Sequence, residues 1–190
     1  SVPLVVTHSM KLLVGLEAGT GVEAWRIPFE TAQDQNTITS LIRDDQVIYS
    51  GYQARTHAIR VRRDSVWHAD EVWSQKEISL FMGSPVVAGD LLVGFDHKQK
   101  GRLFGMDPDT SEMLWATHGR WGKTASIVLI NDHIAVLSID GQISFSPLSR
   151  VGHKTAVYYD VASSETWAHP AFAEGVIIIK DERHVSAWRF

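Results

Sequence analysis

GLEAGTGVEAW (Gly15 to Trp25) and GMDPDTSEMLW (Gly105 to Trp115) are two versions of one string, with an acid at the third place, threonine at the sixth and tryptophan at the eleventh. Both read as a strand, a polar turn and a second strand, because apolar flanks enclose residues that favour turns. The closing ring keeps a beat along the chain. Trp25, Trp73, Trp115 and Tyr159 follow one another at intervals of 48, 42 and 44 residues. A bulky ring recurring in this way means that each unit has the same slot to fill. Each ring is followed by a stretch of one further layout: TSLIRDDQVIYSG, SPVVAGDLLVGF, ASIVLINDHIAVL and HPAFAEGVIIIK. Each is an apolar run, a turn and a second apolar run. Aligned on the turn, Asp45, Asp90, Asp132 and Gly175 are 45, 42 and 43 residues apart. The flanks are rich in Val, Ile, Leu and Phe, so every unit contains a buried hairpin.

About four strands in forty-odd residues, with little helical signal, is the pattern of a propeller blade. Helical repeats would need amphipathic windows of ten or more residues, whereas here β-branched runs are broken by Gly, Asp and Pro. The expected fold is all-β, a single partial β-propeller domain with approximate units 1–29, 37–75, 78–117, 123–162 and 166–190. The first and last units are incomplete: the chain starts at a second strand (Pro3 to Val6) and stops after a third (His184 to Phe190). The turn connection is longer in the second unit, through Arg62 to His68, and longer again in the fourth, through Pro147 to Lys154.

The string ending in tryptophan resembles the pyrroloquinoline-quinone (PQQ) repeat. Leu16, Glu17, Thr20, Gly21 and Trp25 match that repeat in the first unit, with Glu in place of Asp. Met106, Asp107, Thr110 and Trp115 match it in the third, where Ser111 replaces the glycine. The resemblance covers essentially the whole chain. It implies a propeller of the quinoprotein type, here a partial disc of about four four-stranded blades. It also implies that Trp25, Trp73, Trp115 and Tyr159 pack between blades, the indole N–H finding a backbone acceptor. Since the family usually builds about eight blades, the chain is expected to be the C-terminal part of a larger propeller. Its open edges would be covered by the remaining blades or by a second copy. The family includes dehydrogenases, an outer-membrane assembly lipoprotein, sensor domains and many secreted proteins, so it implies a periplasmic, envelope-associated or secreted setting.

Composition narrows the chemistry. A net charge of −4 argues against a nucleic-acid partner. The absence of cysteine excludes disulfides, thiolate zinc sites, c-type haem attachment and a cysteine nucleophile. No apolar run reaches the roughly 18–20 residues that span a bilayer as a helix. No signal peptide opens the chain and Ser1 is not an initiator methionine, so the start reads as an internal cut. Gly122-Lys123-Thr124 ends like a phosphate-binding loop, but Thr117 stands where that loop needs its first glycine, and a strand is expected to follow. The nine histidines are scattered without the three- or four-residue spacing of a local metal pair.

No catalytic, cofactor-binding or metal-binding residue is therefore assigned, and no cofactor is expected. The working surface is expected on one rim, where connections between blades share a face with those between second and third strands. These are Glu30 to Gln35, Gln53 to Thr56, His97 to Lys100, Gly119 to Lys123 and Glu165 to His169. Arg120, Trp121, Lys123, Trp167 and His169 have the cationic and aromatic character of interface anchors. The expected function is a non-catalytic interaction or scaffolding module that binds a protein or peptide through these loops. The alternatives are a fragment of a PQQ- and calcium-dependent alcohol or sugar dehydrogenase, and the ligand-sensing domain of a larger receptor or kinase.

Overall fold

The computed structural model describes residues 2–119 and 121–189. Among these, eighteen strands form five antiparallel sheets, each a simple up-and-down meander. The first blade has β1 (Leu4–His8), β2 (Leu12–Glu17) and β3 (Glu23–Pro28). The second has β4 (Leu41–Arg43), β5 (Gln46–Tyr49), β6 (Thr56–Arg63) and β7 (Trp67–Gln75). The third has β8 (Val86–Ala88), β9 (Leu91–Asp96), β10 (Arg102–Met106) and β11 (Met113–Ala116). The fourth has β12 (Ala125–Ile130), β13 (His133–Ser138), β14 (Gln142–Pro147) and β15 (Val157–Asp160). The fifth has β16 (Ala171–Ala173), β17 (Val176–Lys180) and β18 (Val185–Arg189). This is the β-propeller fold expected from the repeat. The chain divides into two compact units, Ser1–Phe81 and Met82–Phe190.

The buried hairpins lie where the apolar runs predict. Strands β5 and β9 are buried along their whole length, on both faces. A strand flanked by neighbours in its own sheet and covered on both faces cannot alternate apolar with polar residues, which is why it reads as a continuous apolar run. In the first unit, Leu13 and Trp25 pack with Val47, Tyr49 and Ile59. In the second unit, one core joins Leu91, Val93, Phe95 and Leu103 to Ile127, Ile134 and Val136. Another joins Ala135, Leu137 and Ile143 to Ile177 and Ile179. The fourth blade is therefore apolar on both sides. Each hairpin turn has a left-handed residue, Asp44, Gly89, Asn131 or Glu174, one place before the residues on which the repeats align, and in the last turn the aligned Gly175 is left-handed as well.

The recurring string has a clear physical basis. Its first and last residues are opposite each other on neighbouring strands: Gly15 faces Trp25, and Gly105 faces Trp115. The indole lies flat over the glycine. A methyl added at either glycine would fall 2.3 Å from the ring, well inside van der Waals contact. Between them, Asp107 accepts from the backbone N–H groups of Asp109 and Thr110 (2.9 and 3.0 Å) and so closes the turn. Gly21 takes a φ of +71°, and Ser111, its counterpart, is held at +63° without a glycine's freedom.

The two longer connections have a task that local patterns do not reveal. In the first unit, the second blade's β6–β7 connection reaches back to the first blade's turn. Trp67 Nε1 donates to Glu17 Oε1 (3.4 Å), and Arg63 lies 3.9 Å from the same oxygen and 5.1 Å over the Trp67 ring. In the second unit, the fourth blade's β14–β15 connection does the same to the third. Arg150 donates to Asp107 Oδ2 (3.3 Å) and pairs with Asp90 (3.0 Å). Trp115 Nε1 donates to the carbonyl of Ser149 (2.8 Å). The acid at the string's third place thus receives an arginine from the following blade in both pairs. Short-turn and long-turn blades alternate, so the strings recur two blades apart.

Candidate functional site

The rim is built by one bonding rule, repeated within each unit. The connection leaving each of the first four blades is hydrogen-bonded to the turn between that blade's second-to-last pair of strands. After the first blade, Asn36 donates to the carbonyl of Ser9 (2.9 Å). After the second, Ser79 donates to the Gly51 carbonyl and the Leu80 amide to Ser50 Oγ (both 3.1 Å). After the third, the Trp121 and Gly122 amides donate to the carbonyls of Gly101 and Lys100 (both 3.2 Å). After the fourth, the Val161 amide donates to Gly141 (2.9 Å) and the Thr166 amide to Ile139 (3.0 Å). Glycines make these approaches possible: a Cβ on Gly101, whose φ is +87°, would collide with the Gly122 carbonyl 2.1 Å away. The rim loops are therefore ordered by backbone and side-chain bonds to the turns, and only part of their side chains, such as Lys123, Trp167 and His169, is exposed.

The sequence-derived anchors separate on this rim. Arg120 lies outside the described residues. Trp121 is half-buried: its ring packs on the core of the third and fourth blades and meets the His153 ring edge-on at 5.6 Å. It plugs the rim more than it decorates it. Lys123 and His169 are exposed. Trp167 is 48% exposed, and its indole N–H donates to Glu165 Oε2 (3.0 Å), which fixes the ring's direction. Lys123-Thr124 runs directly into β12, so no helix N-terminus stands behind a phosphate there.

The structure places the four rings of the repeat in two different ways. Trp25 and Trp73 are buried (6% and 8% exposed), and Trp115 is half-buried. The Trp25 indole nitrogen, unlike that of Trp115, is buried without a hydrogen-bond partner. Tyr159 is 55% exposed and stands opposite Ile143, not opposite a small residue. In the fourth blade, Val157 opposite Phe145 takes the place that Trp115 opposite Gly105 takes in the third. The ring has moved from the fourth strand to the third, and Tyr159 faces an apolar cleft with Phe145, Ile177 and Trp188.

Two features of the rim were not read in the sequence. Asp96, fully buried at the end of β9, accepts from Arg102 Nε (3.0 Å) and the Lys98 amide (3.2 Å). Asp181 plays a related part after β17. It accepts from the amides of His184 and Arg183 (2.6 and 2.8 Å), which hold its carboxyl at about 2. An acid just after an apolar run was the available signal in both cases.

With this geometry in view, the family can be stated. Residues 3–117 match the PQQ-repeat family described as outer membrane protein assembly factor BamB. The chain belongs to that family. No curated protein sequence matches this BamB-family chain. Solved structures share its architecture at low identity. A chain of the mitotic checkpoint complex aligns with a TM-score of 0.76 at 10% identity, over 98% of this chain and 60% of that one. Kluyveromyces lactis Hsv2p gives 0.70 at 11%, over 99% and 58%. The β-propeller domain of Myceliophteria thermophila Cps50 (Swd1) gives 0.69 at 12%, over 98% and 66%. The BamB-family chain thus spans less than two thirds of each of these propellers. Likeness at such identities establishes the β-propeller fold and nothing finer. Among the described residues, no helix is long and apolar enough to cross a membrane.

Proposed function

We propose that this BamB-family chain is a non-catalytic interaction module that holds a protein segment against its loop rim in the cell envelope. The observation that carries this reading is the bonded rim. Loops tied to the turns below them lose little freedom when a partner docks, which lowers the entropy cost of binding. Trp167, exposed yet held by Glu165, is the kind of rigid aromatic that anchors interfaces. The family's description as an assembly factor supports the same reading. The test is a photo-crosslinking amino acid placed at Trp167 or Lys123, and at Val66 on the β6–β7 connection, in the producing cell. Adducts at the rim positions and none at Val66 are expected; adducts confined to Val66 would overturn the reading.

The quinoprotein alternative meets a poor fit. A calcium ion under PQQ needs several convergent oxygen ligands. Among the described residues, no three acidic or histidine side chains converge on one point, and buried Asp96 is engaged by Arg102. The described residues do not supply that site. Titration with PQQ and calcium, followed by dye-linked alcohol oxidation, checks this directly; turnover would end the non-catalytic reading.

A further inference from the structure

We infer that the rim of the third blade is a seat for an acidic, extended segment of a partner protein. This rests on the rim-binding function proposed above and names the chemistry of its partner. Two loops bonded to each other bring basic residues together: Trp121 and Gly122 donate to Gly101 and Lys100, so residues 97–101 and the described residues 117–119 and 121–123 form one surface. That surface carries His97, Lys98, Lys100, His118 and Lys123, of which Lys100, His118 and Lys123 are exposed. Neither His97 to Met106 nor Ala116 to Ile130 contains a single acid. The acid just before the first stretch, Asp96, is fully buried and engaged by Arg102. One exposed acid, Asp140, adjoins the surface, its carboxylate 3.8 Å from where a Gly122 Cβ would stand.

A positive patch on a chain whose net charge is −4 selects its partner by size. Nucleic acid or an anionic membrane presents negative charge over a surface larger than the patch, and the rest of the chain would repel it. A short acidic segment needs no more than the lysines and meets one acid, Asp140, beside them. Surface charges of this type act mainly on encounter rate and specificity, and weaken as salt shortens the screening length.

The test uses fluorescence anisotropy of a labelled ten-residue peptide of Asp, Glu and Gly, with an Asn/Gln/Gly peptide as the neutral control, at low salt. The acidic peptide should bind the chain, lose affinity as salt rises, and lose about tenfold with the double substitution Lys100→Glu/Lys123→Glu. A tenfold loss is about 1.4 kcal/mol, which two surface lysine contacts share within the range of exposed ion pairs. Lys180→Glu, at an exposed lysine of the fifth blade, should leave binding unchanged. Vesicles containing phosphatidylglycerol form the competing arm. Equal peptide binding by the charge-reversed variant, no peptide binding at all, or tighter capture by vesicles than by peptide would overturn the inference. If rim crosslinks at Trp167 persist while the peptide fails, this inference falls and the interaction function stands; loss of both removes both.

Discussion

Ser111 holds a left-handed backbone where the first blade uses Gly21. A side chain there costs up to roughly 1 kcal/mol compared with glycine. Ser111→Gly should therefore raise the unfolding free energy from urea titration by about 0.5 kcal/mol, since glycine's greater freedom in the unfolded chain offsets part of the gain. The tryptophans offer a finer comparison. Trp115 donates to Ser149, whereas the Trp25 nitrogen is buried without a partner. Replacing each with phenylalanine removes the same atoms, but only in the first case does it break a hydrogen bond. Trp115→Phe should cost about 1 kcal/mol more than Trp25→Phe in parallel denaturant titrations. Equal losses would mean that the Ser149 bond contributes nothing.

At the scale of strands and connections, the arginine that reaches back to the preceding blade's turn is the feature to measure. Asp107 loses some solvation on partial burial, yet the amides of Thr110 and Asp109 and the Arg150 guanidinium hold its carboxyl below the ordinary range. A double-mutant cycle on Asp107→Ala and Arg150→Ala should return a coupling of about 0.5–1 kcal/mol, as expected for a partly exposed pair, and should shrink in salt. This is also the scale at which sequence reading stops. Hairpins and the Gly–Trp string were legible because apolar runs and turn residues are local signals. The two long connections could be seen, but not their purpose, because Arg63 and Glu17 are distant in the chain and no pattern links them. Tyr159 kept the spacing of the ring while losing its register: in the fourth blade the aromatic is Phe145, one strand earlier, and an interval between rings does not record which strand carries them. On the rim, Lys123, Trp167 and His169 were legible as exposed loop residues. The backbone bonds that order those loops were not, since they depend on tertiary approach at Gly101 and Gly122.

For the molecule as a whole, the dependence of stability on pH should fall in two steps. Burial lowers the pKa of His8, and likewise that of His153, below the ordinary 6.5. The unfolded chain then binds protons more readily than the folded one, so this contribution is complete above pH 6.5 and is lost as pH falls below it. Asp64, held at about 2 first by the Val66 amide, and Asp181 contribute stability that is complete above their ordinary 3.8 and lost as pH falls toward 2. Urea midpoints measured from pH 8 to 2 should show both declines. His153→Phe, which keeps a ring beside Trp115 and Trp121, should flatten the upper one, and Asp181→Asn the lower one.

The alternation of short and long turns has a bearing on how such a chain can be lengthened or cut by design. Splicing out one repeat would leave a carboxylate without its cation or an arginine without its seat, whereas splicing out two leaves each remaining couple whole. The practical module for grafting or extending this scaffold is a duplex of repeats, about ninety residues, rather than the single repeat that its periodicity advertises.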